Sequence, residues 1–329
     1  MTVRVGVVGV GLIGEDHVRR LTTVVDGASV TAVTDVDSGR ADAVAKQYGV
    51  PVVHPSGEDV IADPAVDAVV VASWGPTHEQ YVLAAIAAGK PVFCEKPLAT
   101  TREACERVLA AETARGRRLV QVGFMRRYDS AYLEVRSAVR AGSTGAPLLA
   151  HMAHRNPAVP PTVTSENAIN DSAVHEIDVT RWLLGEEITS VLVLAPRRSS
   201  HAAAGLQDPM VVMFRTASGV LVDDELGLNV RYGYDIRCEV VGETGQARLP
   251  TGGPVPPDWR VRFSDAYDAE FRAWVADVAA GRPPGGPSSW DGYAATVVAG
   301  ACVSALHSGE WTDVVLAERP ARYRPEGQP

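Results

Sequence analysis

Three glycines near the amino terminus have the spacing of a dinucleotide-binding loop. Gly9, Gly11 and Gly14 follow a β-branched run from Val3 to Val8 and precede a helical pattern around His17 to Leu21. In this setting the first glycine permits a tight turn, the second lets backbone N–H groups approach a pyrophosphate, and the third lets the helix pack on the strand. The positive end of the helix then faces the phosphates. The pattern predicts a Rossmann-type nucleotide site.

An aspartate at the end of the second predicted strand indicates which dinucleotide binds. Asp35 follows the strand Val30 to Thr34, about 20 residues after the last glycine of the loop. A carboxylate there accepts hydrogen bonds from the ribose hydroxyls of NAD and repels the extra phosphate of NADP. Arg40 could favour NADP, but its position after Asp37 places it on the next helix. We therefore expect NAD.

A lysine follows a short strand at the point where open α/β sheets bind ligands. The apolar run from Pro91 to Cys94 is typical of a parallel strand covered on both faces, and Glu95-Lys96-Pro97 follows it. Ligands bind beyond the carboxyl ends of such strands, so Lys96 is expected to point into a cleft. An isolated lysine is more often a solvated surface residue. The loop from Ser73 to His78 should line the same cleft, although Trp74 could be a hydrophobic plug and His78 a helix-start residue.

An aspartate and a histidine lie four positions apart in the second half of the chain. An amphipathic helix ending near Gly185 is predicted there, and its apolar positions are Val174, Ile177, Trp182 and Leu183. Asp171 and His175 would share one face of this helix. Such a pair is commonly a surface ion pair. A zinc site is disfavoured because Val179 stands where the H-E-x-x-H pattern needs a second histidine.

The elements that carry these residues fall into two groups. Strands alternate with helices in the first half, which implies right-handed crossovers and a parallel sheet. Strand-like segments dominate the second half and suggest a largely antiparallel sheet, whose second apolar face a partner subunit could cover. We predict an α/β plus α+β fold. Residues 1–123 would form an NAD-binding Rossmann domain, and residues 124–329 a substrate-binding and oligomerisation domain whose final helix could pack back on the first.

Composition limits the classes of function. The chain has 329 residues, enough for two domains, and 46% hydrophobic with 22% charged residues is ordinary for a globular protein. A net charge of -9 argues against nucleic acid as a partner. We expect a cytoplasmic protein without membrane contact, because neither a leader pattern nor a spanning apolar run is present. The four scattered cysteines suggest buried, reduced thiols.

The glycine loop, Glu95-Lys96-Pro97 and Asp171-x-x-x-His175 together resemble the glucose-fructose oxidoreductase, inositol dehydrogenase and rhizopine-catabolism (Gfo/Idh/MocA) family of NAD(P)-dependent oxidoreductases. Longer similar strings span the chain to about residue 249. They are Thr34–Val36, Ser73–Pro76, Val92–Thr101, Val120–Ser130, His154–Pro157, Val174–Val179 and Tyr232–Asp235. The resemblance implies a Rossmann domain, a second domain whose open sheet forms the interface of a homotetramer, and a cis peptide bond before Pro97.

The resemblance also implies an activity: NAD-dependent oxidation of myo-inositol to 2-keto-myo-inositol (scyllo-inosose). It makes Lys96, Asp171 and His175 the catalytic group, with His175 as general base, Asp171 orienting it, and Lys96 bonding the reacting oxygen. The cofactor-binding residues are expected to be Gly9, Gly11, Leu12, Ile13, Gly14, Asp35, Val36, Ser73, Trp74, His78, Glu95 and Lys96. The residues around the polyol substrate are expected to be Met125, Arg126, His154, Asn156 and Tyr234. No metal is expected.

The chain departs from the family pattern in one informative place. The loop from Pro157 to Ser165, with Pro160 and Pro161, has no close match and lies beside Asn156, so the preferred inositol isomer stays open. One alternative is a dehydrogenase for another isomer or for an aldose, or one that reduces an inosose. Another is a regulatory protein that binds NAD and sugar without turnover, which the intact Lys96, Asp171 and His175 disfavour.

Overall fold

The first part of the chain forms a parallel sheet of six strands. The computed structural model describes residues 2–324. The strands are β1 Val3–Val8, β2 Ala28–Thr34, β3 Val52–Val53, β4 Ala68–Val71, β5 Val92–Glu95 and β6 Val120–Gly123. The helices between them are α1 Leu12–Thr23, α2 Ser38–Tyr48, α3 Gly57–Ala62, α4 His78–Ala88 and α5 Arg102–Arg115. The strand order β3-β2-β1-β4-β5-β6 reverses between β1 and β4, which creates the crevice where doubly wound sheets bind ligands. The predicted Rossmann fold is confirmed.

Two small elements of this first part were missed by the sequence analysis. Strand β3 has two residues and helix α3 has six, so neither is long enough to display a period of two or of 3.6 residues. The first turn of α3 is instead fixed by a cap, because the Ser56 side chain accepts a hydrogen bond from the Asp59 N–H at 3.1 Å.

A seven-stranded sheet forms the second part. Its early helices and strands are α6 Ser130–Arg140, β7 Pro147–Arg155, α7 Ser165–Ala168, α8 Val174–Leu184, β8 Ile188–Leu194, β9 Met210–Thr216, β10 Leu221–Gly227, β11 Asp235–Gly242, β12 Gln246–Arg248 and α9 Trp259–Arg262. The strand order is β12-β11-β7-β10-β9-β8-β13, where β13 is Thr312–Asp313. Every pair is antiparallel except β7 with β10. This mixed, mostly antiparallel sheet confirms the predicted fold class.

The prediction of an amphipathic helix at α8 is wrong in one respect. Every residue from Val174 to Leu183 is buried, so the helix has no solvent face. Its charged side chains are accommodated by partners from other elements: for example, Arg127 donates to Asp178 at 2.9 Å, and Arg181 pairs with Glu187. The helix ends as predicted, at Gly185 with φ of +75°.

A π-helical turn precedes α8 and changes the setting of Asp171. The turn covers Ile169–Ala173 and joins α7 to α8. Asp171 lies in this wider turn and His175 lies in α8, so the two are not on one regular α-helix as predicted. Single π turns of this kind occur frequently at functional sites.

Late parts of the chain complete both units. Helices α10 Ser264–Ala279 and α11 Ser289–Ser308 precede β13. The first unit comprises the described parts of Met1–Phe124, Asp268–Thr296 and Ala317–Pro329, and the second comprises Met125–Tyr267 and Val297–Leu316. Phe93 of β5 packs in the first core against Phe271 and Trp274 of α10, with ring centroids 4.4 and 5.9 Å away.

The four cysteines lie within residues 2–324, the part of the chain that the structure describes. All four cysteines are free and buried, as predicted. Within these residues, no helix has the length and apolar character to cross a membrane, and no cluster of histidine, cysteine and acidic side chains could hold a metal ion.

Candidate active site

The glycine loop after β1 has the shape of a phosphate cradle. Gly9 has φ of +87°, and a Cβ there would lie 2.5 Å from the Ser73 Cα. A Cβ at Gly14 would lie 2.0 Å from the Gly9 carbonyl oxygen, so this close packing of helix on loop requires glycine. The nearest atom to a Cβ on Gly11 is an Arg40 guanidinium nitrogen, 3.9 Å away. That open space fits a dinucleotide pyrophosphate.

The start of α1 supplies donors for the same group. Gly11 is the N-cap residue, and among residues 2–324 no side chain caps this helix end. The N–H groups of the first turn therefore face outward with the positive end of the helix dipole. Leu12 is 64% exposed beside them, and Ile13 is partly buried. The loop and the helix start together satisfy the requirements for dinucleotide binding.

Asp35 is held firmly at the end of β2. Its Oδ2 accepts a hydrogen bond from the Val10 N–H at 2.8 Å, and its Oδ1 accepts from the Asp37 N–H at 2.9 Å. The Arg40 Nη1 is 3.5 Å from Oδ1, and Arg40 lies on α2 as predicted. Val36 is fully exposed next to the carboxylate. Asp35 is thus a fixed negative charge beside the glycine loop.

The loop after β4 is tied to the Lys96-Pro97 segment. His78 is buried, with Nε2 3.0 Å from the Ser73 carbonyl oxygen and Nδ1 2.7 Å from the Pro97 carbonyl oxygen. Burial lowers the pKa of His78, while these carbonyls act in the opposite direction. Trp74 is 77% exposed, so it is not a hydrophobic plug.

Glu95 and Lys96 follow one another at the end of β5. The Lys96-Pro97 peptide bond is cis, as the resemblance implied. Glu95 is buried, its Oε1 lies 2.7 Å from the His17 Nε2, and its Oε2 accepts from the Lys96 N–H at 3.2 Å. Lys96 is partly buried, which distinguishes it from an ordinary surface lysine. The structure therefore places this lysine at a braced strand end.

A buried polar cluster occupies the second unit. Arg126 forms an ion pair with Glu176, and both side chains are 1% exposed. The His154 Nδ1 lies 3.0 Å from the Glu176 Oε2 and 3.2 Å from the Arg126 Nη2. Burial lowers the pKa of Arg126, but Glu176 together with Tyr132 and Tyr234 outweighs this effect, so the pKa is raised overall. Burial alone would raise the pKa of Glu176, but the neighbouring Arg126 and His154 lower it overall.

Two further predicted residues join this cluster. The His175 and His154 rings have centroids 6.3 Å apart, and the Tyr234 ring meets His154 edge-on at 5.6 Å. Tyr234 and His175 are both buried. The cluster can therefore present an imidazole, a phenol and a guanidinium to one ligand, which suits a molecule rich in hydroxyl groups.

Three further residues of the second unit were predicted to belong to the site: Met125, Asn156 and Asp171. Met125 is buried at the start of the turn that carries Arg126. Asn156 is partly buried after β7, and its backbone N–H donates to the Gly227 carbonyl at 2.8 Å. Asp171 is exposed in the π turn.

Two acidic residues of this region were missed by the sequence analysis. Glu176 lies next to His175, but only its partners reveal its role. Asp224 is fully buried in β10 between Val222 and Leu226, and neither of its carboxyl oxygens has a hydrogen-bond partner within residues 2–324. Burial and then Glu176 raise the pKa of Asp224 well above its ordinary value. An acid on the apolar face of an alternating strand was the signal that could have identified it.

Two family models match this chain. One, described as an oxidoreductase family with an NAD-binding Rossmann fold, covers residues 3–124. The other, described as the GFO/IDH/MocA C-terminal domain, covers residues 132–248. Together they cover the greater part of the chain.

Named relatives are similar over nearly the whole length. The chain is 57% identical over 335 residues to inositol 2-dehydrogenase 3 of Saccharopolyspora erythraea, with 98% of each chain covered. The crystal structure of myo-inositol dehydrogenase from Lactobacillus casei, in complex with NAD(H) and myo-inositol, is 38% identical with a TM-score of 0.96, covering 98% of this chain and 100% of that one. Scyllo-inositol dehydrogenase from the same species, with bound NAD(H) and scyllo-inositol, is 26% identical with a TM-score of 0.89, covering 95% and 99%.

Proposed function

The chain belongs to the Gfo/Idh/MocA family of oxidoreductases and carries an NAD-binding Rossmann domain, and we propose that it oxidises myo-inositol to 2-keto-myo-inositol (scyllo-inosose) with NAD. The observation that carries this proposal is the full-length similarity to inositol 2-dehydrogenase 3. The buried polar cluster of Arg126, His154, His175 and Tyr234 supports it, because a polyol offers hydroxyl groups for each of these side chains.

We propose that Lys96, Asp171 and His175 act on the same substrate hydroxyl. His175 would accept the hydroxyl proton, because a neutral imidazole is the side chain best suited to take up a proton near pH 7. Asp171 would orient His175 and stabilise the imidazolium. Lys96 would donate a hydrogen bond to the reacting oxygen and stabilise the negative charge that develops there. NAD, when bound, accepts the hydride from the substrate carbon.

We propose that Met125, Arg126, His154, Asn156 and Tyr234 surround the substrate. Arg126 and Tyr234 can donate to hydroxyl oxygens, and a neutral His154 can donate or accept according to its tautomer. Because most of these groups are buried, an analogue that lacks a hydroxyl would leave one of them without a partner. Discrimination between hydroxylated and deoxygenated rings should therefore be strong.

For the cofactor, the glycine loop from Gly9 to Gly14 would bind the pyrophosphate and Asp35 the ribose hydroxyls of NAD. Val36, Ser73 and Trp74 would border the cofactor. His78 would act by bracing the loops on either side, since both of its ring nitrogens lie at backbone carbonyls.

We also propose a cytoplasmic homotetramer assembled through the outer face of the seven-stranded sheet. That face combines half-exposed apolar side chains, Leu149 at 39% and Leu194 at 46%, with charges such as those of Asp223 and Glu225. Exposed apolar side chains with a polar rim can mark an interface between subunits. Light scattering should give four times the chain mass, and a monomeric mass at assay concentration would contradict the proposal. We propose the cytoplasm because the proposed reaction consumes NAD, which the enzyme would take from the cytoplasmic pool.

The direct test is the initial rate of NADH formation with myo-inositol, compared with scyllo-inositol, D-chiro-inositol and glucose, each with NAD and with NADP. Saturable turnover of myo-inositol with NAD is expected. A preference for scyllo-inositol would instead favour a second candidate function, the NAD-dependent oxidation of scyllo-inositol. The similarity to the scyllo-inositol enzyme motivates this candidate. NAD binding without turnover of any polyol would contradict both.

The catalytic roles are tested with two variants. Replacing Lys96 or His175 by alanine should lower kcat by about a hundredfold or more. The Kd for NAD should change much less than kcat, because both variants keep the glycine loop and Asp35, the groups proposed to hold the pyrophosphate and the ribose. Near-normal turnover in both variants would remove their assignment.

A further inference from the structure

A buried chain of hydrogen bonds connects α1 to Lys96. The fully buried His17 has its Nε2 2.7 Å from the Glu95 Oε1 and its Nδ1 3.1 Å from the Arg20 Nη1. The other carboxylate oxygen of Glu95 accepts from the Lys96 N–H at 3.2 Å. The helix that begins at the dinucleotide loop is thereby joined to the lysine at the end of β5.

The partners of His17 determine where its proton lies. A guanidinium only donates, so the Nδ1 of His17 accepts from Arg20. Arg20 is itself fixed, with Nη2 2.7 Å from the Asp16 Oδ2 and Nε 2.6 Å from the Asp268 Oδ1. An Nδ1 that accepts carries no proton, so the ring is neutral and its one proton is on Nε2. Burial, which lowers the pKa of His17, acts in the same direction. His17 therefore donates to Glu95, whose pKa is lowered by this bond although burial alone would raise it.

The surroundings of this hydrogen-bonded chain are apolar. The His17 ring centroid lies 5.9 Å from that of Phe93 and 4.6 Å from that of Phe271. Buried polar networks contribute little to stability, because a protein in which well-packed apolar residues of similar volume replace the network is often as stable. A Cβ at Gly123 would lie 3.1 Å from the Glu95 carboxyl carbon, so the carboxylate is also confined on that side. The network fixes a position more effectively than it stabilises a fold.

We infer that His17 is a positioning residue. It holds the Glu95 carboxylate against the backbone N–H of Lys96 and so fixes the orientation of Lys96 at the end of β5. Its role depends on the catalytic role of Lys96 in the proposed function. Arg20 contributes by selecting the tautomer of His17 that donates to Glu95. His17 acts on the reaction through Glu95.

The test is a double-mutant cycle of His17→Leu with Lys96→Ala, measured with the polyol that wild type turns over fastest. His17→Leu alone should lower kcat by about a hundredfold, the typical effect of misplacing a catalytic group by about 1 Å. The same change should cause no further loss in the Lys96→Ala background. The Kd for NAD, measured by fluorescence titration, should stay close to that of wild type.

A rescue variant separates positioning from packing. In His17→Gln the amide can donate to Glu95 and accept from Arg20, so kcat should return to within about threefold of wild type. An equal loss from His17→Leu in both backgrounds, or a loss of NAD affinity that matches the loss of kcat, would overturn the inference. If His17→Leu does not fold, His17→Asn replaces it, because this polar side chain is too short to reach Glu95. Failure of both variants to fold would assign His17 to the fold instead.

The outcomes are distinct from those that test the proposed function. Absence of turnover by wild type with every polyol contradicts the proposed function itself. Normal kcat in Lys96→Ala removes the role of Lys96, and that of His17 with it. Normal kcat in His17→Leu, combined with a low kcat in Lys96→Ala, overturns only the inference about His17.

Discussion

Replacing Glu176 by glutamine should destabilise the second unit strongly, because it leaves the Arg126 guanidinium as a buried charge without its counterion. Both side chains are 1% exposed, and the glutamine keeps the volume of the glutamate, so the change removes charge without creating a cavity. Removing one partner of a buried ion pair costs about 3–5 kcal/mol. We expect a loss in this range in the free energy of unfolding.

Glu106 of α5 offers a control with the same chemical change. Its carboxylate pairs with Arg102 at 2.8 Å, and the two side chains are 42% and 39% exposed, so water can solvate either charge when the pair is broken. Exposed pairs contribute about 0–1 kcal/mol, and Glu106→Gln should therefore cost no more than this. Equilibrium urea unfolding of wild type and both variants, at pH 7 and one protein concentration, measures the difference.

Activity gives a second readout for the Glu176 variant. Glu176 contacts both Arg126 and His154, so its neutralisation should raise the KM for the polyol more than it raises the Kd for NAD. A stability loss in Glu176→Gln no greater than that in Glu106→Gln would refute the electrostatic reasoning. An unchanged KM would separately refute the placement of Arg126 and His154 around the substrate.

Three further predictions concern other positions. Asp224→Asn should raise the free energy of unfolding at pH 7 but not near pH 4. Burial and a neighbouring carboxylate raise the pKa of Asp224, so the folded protein keeps a proton that the unfolded chain releases above its ordinary pKa, and this cost grows by about 1.4 kcal/mol per pH unit. A pH-independent difference between the two proteins in urea unfolding would contradict this. Asp35→Ser should shift kcat/KM towards NADP by about tenfold or more, because like-charge repulsion disappears while Arg40 remains; an unchanged ratio would refute it. Gly14→Ala should raise the Kd for NAD sharply, because the new Cβ would lie 2.0 Å from the Gly9 carbonyl oxygen, and normal binding by titration would count against that packing.

Local patterns in the sequence determined the frame of the protein. The glycine loop, the alternation of strands and helices in the first half, and the period-two strands in the second half each depend on backbone conformation and side-chain direction over a few residues. Gly185 ends α8 where predicted, and Asp35 lies beside the glycine loop, because both positions follow from the ends of single elements.

Tertiary structure decided how the polar residues are paired. Arg126 and Glu176 are 50 positions apart and His17 and Glu95 are 78 apart, so no local period connects them. The hydrophobic pattern of α8 predicted one solvent face, but partners from distant elements neutralise its charges and allow the whole helix to be buried. Burial and pairing of charged groups depend on which elements the fold brings together, and sequence spacing does not encode this.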